Sequence, residues 1–124
     1  MNVMCANDNV LNAFIPLIRE IVHYISKREY DRIDIFCHKN GALDAIRLQD
    51  EIESYIGNSK ILPLDEEKLG EISYSYYFSP SVIMLHLPVY FYNKGIGKDY
   101  FVLGLQCGFM DHNPVVKVFE IGYF

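Results

Sequence analysis

The sequence predicts an α+β domain, with N-terminal helices packed on one face of a four- or five-stranded antiparallel meander. Three observations carry this. Apolar residues recur at steps of three and four as far as Ile56, and from Glu71 onward the period changes to two. The strands of the second half are joined by short turns, with no crossover helix that a parallel sheet would need. The chain has 124 residues, 51% of them hydrophobic, which suits a single domain over 1–124 able to bury a core without disulfide or metal.

Leu11, Phe14, Ile15, Ile18, Val22 and Ile25 fall on one face of a first helix. Asp8, Asn9 or Asn12 is placed to cap it, and Pro16 then sits in the first turn, where a missing N–H does no damage. A start at Asp8 would instead have Pro16 kink the helix. Lys27–Tyr30 reads as a frayed end, and Tyr30–Phe36 as a short turn, helix or strand. A second helix is predicted over Ala42–Ile56, with Leu43, Ile46, Ile52, Tyr55 and Ile56 as its apolar stripe. Asn40-Gly41 precedes it and Gly57-Asn58 stops it. Asp65 is placed to cap one short turn after Leu62-Pro63.

The alternation of Ile72, Tyr74, Tyr76 and Phe78 with Glu71, Ser73, Ser75 and Tyr77 predicts a first strand, and Ser79-Pro80-Ser81 a turn. Ile83, Leu85, Leu87, Val89 and Phe91 form the apolar side of a second strand, in which Pro88 marks an edge or a bulge. Asn93–Lys98 is a hairpin loop. Phe101, Leu103, Leu105 and Cys107 line one side of a third strand, Met110–Pro114 turns the chain, and Val115–Tyr123 closes the sheet. The order of helices followed by sheet is similar to the cystatin-like and nuclear-transport-factor-like cones, an analogy of fold that brings no function with it.

Reactive constellations are sparse. His23, His38, His86 and His112 share no ligand spacing, and Cys5, Cys37 and Cys107 form no CxxC pair, so no metal and no cofactor is predicted. Alternation puts Cys107 and His86 on opposite faces of the sheet, where a thiol and its base cannot meet. The sequence has no G-x-S-x-G and no H-E-x-x-H, and no catalytic residue is assigned. The odd cysteine count, the absence of a basic and apolar leader in MNVMCANDNV, and the lack of a long apolar run predict a cytoplasmic protein with no membrane span.

Charge is more informative. The formal net charge is −5, which argues against a grip on nucleic acid. Between Asp44 and Glu71 eight acids stand against three bases, so the whole surplus lies in the second helix and the connection after it. Such a field steers a basic partner, although an acidic stretch also serves plain solubility. The candidate partner-binding residues are Asp50, Glu51, Glu53, Asp65, Glu66, Glu67 and Glu71, with Tyr55, Tyr74 and Tyr77 as aromatic anchors. Ten tyrosines, eight phenylalanines and no tryptophan accompany them, and alternation places His86, Tyr90, Tyr92 and Tyr100 on the side of the sheet away from the helices.

Ile18-Arg19-Glu20-Ile21-Val22 with Glu29-Tyr30-Asp31, followed by Leu87-Pro88-Val89-Tyr90-Phe91, resembles small bacterial immunity proteins of contact-dependent growth inhibition and related polymorphic toxin systems. The resemblance implies a non-catalytic protein that binds and neutralises a cognate toxin domain, many such toxins being basic nucleases. It implies a monomer or a weak homodimer. The alternative is a small-molecule binder or enzyme of the nuclear-transport-factor-like type, with a pocket between the sheet and the first helix lined by His86, Tyr90 and Tyr100.

Overall fold

Two amphipathic helices and an antiparallel sheet share one apolar interior, in a computed structural model that describes residues 11–35, 44–62, 64, 73–77, 79–93 and 95–122. Of residues 73–77 and 79–81 the backbone alone is described. The α+β class and the antiparallel sheet are those the periodicities predict.

Helix α1 spans Ile15–Ser26, so Pro16 lies in its first turn. Its N-cap is Phe14 and no side chain caps it, which displaces Asn12 from that role; Asp8 and Asn9 lie outside the described residues. Ile18, Ile21, Val22 and Ile25 are buried. Its predicted frayed end is instead an ordered Schellman turn, in which the N–H of Arg28 donates to Ile25 O and that of Glu29 to Tyr24 O. Arg28 occupies the left-handed position, with φ 58°, where glycine is usual. A 3₁₀ turn over Tyr30–Arg32 follows, and Ile35 makes an isolated parallel bridge to Val118.

Helix α2 spans Ala45–Ile56, capped by the Asp44 carboxylate, which accepts from the N–H of Arg47 at 2.8 Å. Gly57 closes it with φ 55°. The buried stripe is Leu48, Ile52 and Ile56, one residue per turn. Ile46, read from the sequence as part of that stripe, is 72% exposed. The reason is angular. Six residues separate Ile46 from Ile52, which at 3.6 residues per turn puts them on different faces. Leu43 lies outside the described residues.

The sheet runs β1 (Ser73–Tyr77), β2 (Ser79–Asn93), β3 (Gly97–Met110) and β4 (Asn113–Gly122), each paired antiparallel with the next. Ser79-Pro80-Ser81, read as a turn, belongs to β2, and Tyr77 pairs directly with Ser79 across a register shift. The Asn93–Gly97 turn is held by the Asn93 side chain, which accepts from the N–H of Gly95 at 2.9 Å. Asp111 and His112, both at positive φ, make the two-residue turn between β3 and β4.

Ile83, Leu85, Leu87, Val89 and Phe91 are buried on the helix side, as are Phe101, Leu103, Leu105 and Cys107 opposite them. Tyr55 stacks on Phe101 at 5.7 Å, and Phe14 meets Phe109 at 5.2 Å. Each fully buried side chain of this size contributes about 1.5–3 kcal/mol relative to exposure. Between β3 and β4 alternation breaks at a bulge where β4 passes from Val118, opposite Leu105, to Glu120, opposite Gly104. Phe119 is the extra residue, and a Cβ on Gly104 would lie 2.8 Å from its ring and 2.5 Å from Glu120 Cγ.

Among the described residues, Pro88 has no ladder partner on the side of β2 away from β3. β1 reaches only as far as His86, whose partner is Ser73. Beyond Pro88 that side of β2 is taken by a different segment, the N–H of Leu62 donating to Tyr90 O at 2.8 Å and Ile61 bridging Phe91.

Candidate functional site

Two surfaces hold the residues singled out from the sequence. The first is the outward side of α2. Asp44, Ile46, Arg47 and Asp50 are exposed there, with Glu51 half-buried. Ile46 and Asp50 stand one turn apart on the same stripe, so an exposed isoleucine is flanked by carboxylate. Glu51 lies 3.9 Å from Arg47 in an exposed pair that barely constrains either side chain.

Two candidate anchors on α2 have other duties. The Glu53 carboxylate receives the Arg28 guanidinium at 2.8 Å and the Tyr30 hydroxyl at 3.4 Å. Burial, and then the negative charge of Glu53, holds the Tyr30 hydroxyl pKa above its ordinary value. Tyr55 is half-buried with its ring on Phe101, packed against the interior. Glu53 and Tyr55, both half-exposed, thus also make contacts within the fold. Asp65, Glu66, Glu67 and Glu71 lie outside the described residues. Tyr74 and Tyr77 are placed as backbone positions in β1.

The second surface is the sheet face opposite the helices. His86 pairs with Gly104 and Tyr90 with Tyr100, the two tyrosine rings tilted at 5.6 Å. The Lys98 ammonium sits 4.5 Å from the centre of the Tyr90 ring, a cation–π contact. His86 Nε2 and Glu120 Oε1 are 3.8 Å apart. Val102, on this same face by register, is only 5% exposed, so the face is partly covered rather than bare. Glu120, Lys98 and Phe119 were not singled out from the sequence. Strand pairing would have exposed Lys98 through the Asn93–Gly97 turn, whereas the bulge that turns Phe119 leaves no mark in the alternation.

Cys107 is fully buried, and desolvation pushes its thiol pKa up to about 12, so it is a poor nucleophile at neutral pH. His86 lies across the sheet from it. Among the described residues no three His, Cys, Asp or Glu side chains gather as metal ligands.

The pocket predicted for the small-molecule alternative is not where the sequence placed it. His86, Tyr90 and Tyr100 face away from the helices, and the space between sheet and helices is packed by side chains of near-zero exposure. Two hollows lined by described residues are peripheral. One of about 270 Å³ lies between α1 and Ile61–Leu62, and one of about 260 Å³ lies at the Phe109–Met110 end of the sheet.

No described helix is long and apolar enough to cross a membrane. No protein-family model, curated protein or solved structure matches the chain.

Proposed function

We propose that this protein acts by binding another protein without catalysis of its own, as an immunity protein neutralises a cognate toxin domain. Supporting this is the outward side of α2, where Ile46 is 72% exposed beside the exposed Asp50. An exposed isoleucine one turn from an exposed carboxylate suits a complementary basic surface, the isoleucine giving buried area and the acid giving steering and register. On this reading the toxin is basic and the complex forms in the cytoplasm. The finer fold proposed with it is a cystatin-like or nuclear-transport-factor-like arrangement of helices against sheet.

The test is titration of basic nuclease-type toxin domains of polymorphic toxin systems into the intact protein, at low and at high salt. Binding should weaken at least tenfold on raising salt, and again in the double variant Asp50→Lys, Glu51→Lys. Ile46→Asp should cost roughly 1–3 kcal/mol of affinity with little change in Tm. Affinity indifferent to all three changes removes α2 from the interface and sinks the proposal.

A further inference from the structure

We propose that the hollow at the Met110 end of the sheet, on the face opposite the helices, is a binding site for a short aliphatic carboxylate. The inference stands apart from the reading of α2 and uses none of its residues.

The hollow follows from the register. Ile83, Cys107 and Val116 are buried on the helix side of three neighbouring strands. Their sequence neighbours Val82, Gly108 and Val115 therefore meet on the opposite side, with Gly108 in the middle. A glycine between two valines leaves a notch, because the valines rise on either side of a residue that has no side chain. Gln106 and Met110, two residues away along β3 in each direction, stand at its ends. The space is about 260 Å³. A cavity of roughly 150 Å³ holds a benzene ring, so a chain of about six carbons fits here.

The lining is apolar except at one end. Val82, Val115 and Met110 supply the apolar part, and Met110 is 59% exposed, so an apolar ligand takes part of its side chain out of water. Lys117 stands opposite Gln106 across the β3–β4 ladder, and both are half-buried. Among the described residues neither the Lys117 ammonium nor the Gln106 amide has a hydrogen-bond or ion-pair partner, and no carboxylate lines the hollow. Glu120, on the same face of β4, lies 3.8 Å from His86 instead.

This arrangement selects the ligand by charge. An ammonium and an amide N–H side by side suit the two oxygens of a carboxylate, which accepts from both, while the tail lies over Gly108 between the valines. A neutral chain of the same length leaves both donors unused, and a cationic one meets Lys117 as a like charge. The ligand is small and the hollow opens to solvent, so the Kd is on the order of 5 mM.

Titration of hexanoate into the intact protein, followed by amide NMR, tests this, with hexan-1-ol and hexylammonium as controls. Hexanoate should move the amides of Gly108, Met110 and Lys117 and saturate, while hexan-1-ol binds there about fivefold more weakly and hexylammonium leaves them unmoved. Lys117→Gln should reduce hexanoate to the level of hexan-1-ol without changing the alcohol, and Val115→Phe, which fills the hollow, should block both. Equal affinity for acid and alcohol overturns the proposal, as does the lack of a saturable shift at these amides up to about 50 mM hexanoate. An affinity unchanged in Lys117→Gln overturns it as well. The ligand series uses the natural sequence, so it decides the matter even if Val115→Phe does not fold. Failure of toxin binding leaves it untouched.

Discussion

The Arg28 guanidinium ties the end of α1 to the end of α2, with one nitrogen 2.8 Å from Glu53 Oε2 and the other donating to Gly57 O at 2.9 Å. It therefore satisfies a terminal carbonyl of α2 while neutralising a carboxylate in its last turn. The same residue sits at φ 58°, a conformation that costs an L-residue about 1 kcal/mol, so the tie offsets the strain.

Arg28→Ala should destabilise the protein by about 1–2 kcal/mol, because it keeps the strain and loses the tie; the pair's partial exposure limits the loss. Arg28→Gly loses the same tie and relieves the strain, and should be more stable than Arg28→Ala by about 1 kcal/mol. Urea unfolding of the three proteins measures both differences. Equal stability of the Gly and Ala variants would show that the left-handed position is not maintained in solution.

The Asp111-His112 turn holds two non-glycine residues at φ 51° and 67°. Asn-Gly is the pair best suited to such a turn. The double variant Asp111→Asn, His112→Gly should gain about 1 kcal/mol, read as a rise in Tm of several degrees. A fall in Tm would mean that Asp111 or His112 makes a compensating contact.

Gly104→Ala brings a methyl group to within 3 Å of Phe119 and Glu120, and should cost about 1–3 kcal/mol. The cost should shrink when Phe119 is first replaced by Ala, so a double-mutant cycle separates crowding from loss of backbone freedom. Additive effects would contradict the close approach.

The buried thiol makes stability fall in alkali. Its folded pKa, about 12, lies above the unfolded value of 9.0, so the native state holds the proton longer. Stability is fully present below about pH 9 and is lost as pH rises toward 12, on the order of 3–4 kcal/mol from this group. Tyr30, also shifted upward, adds in the same direction. Cys107→Val should flatten the decline of Tm between pH 9 and 11. An unchanged slope would remove the thiol from the account.

Much of the sheet was legible because each of its central strands is buried on one face, and that leaves a period of two. Ile83 to Phe91 and Phe101 to Cys107 follow it without exception on the helix side. The stripe of α2 was harder to read, since Ile46 is apolar and exposed while the deciding residue is Leu48. Charge counting found the acidic stretch but not its internal use, because the Arg28–Glu53 tie joins residues 25 apart in sequence. The bulge at Phe119 inserts one residue and has no compositional signature.

Pro88 acts as punctuation within a single long strand. On its N-terminal side β2 serves as template for β1; on its C-terminal side it receives Leu62 instead. Pro88 has no N–H to donate to either segment at that boundary.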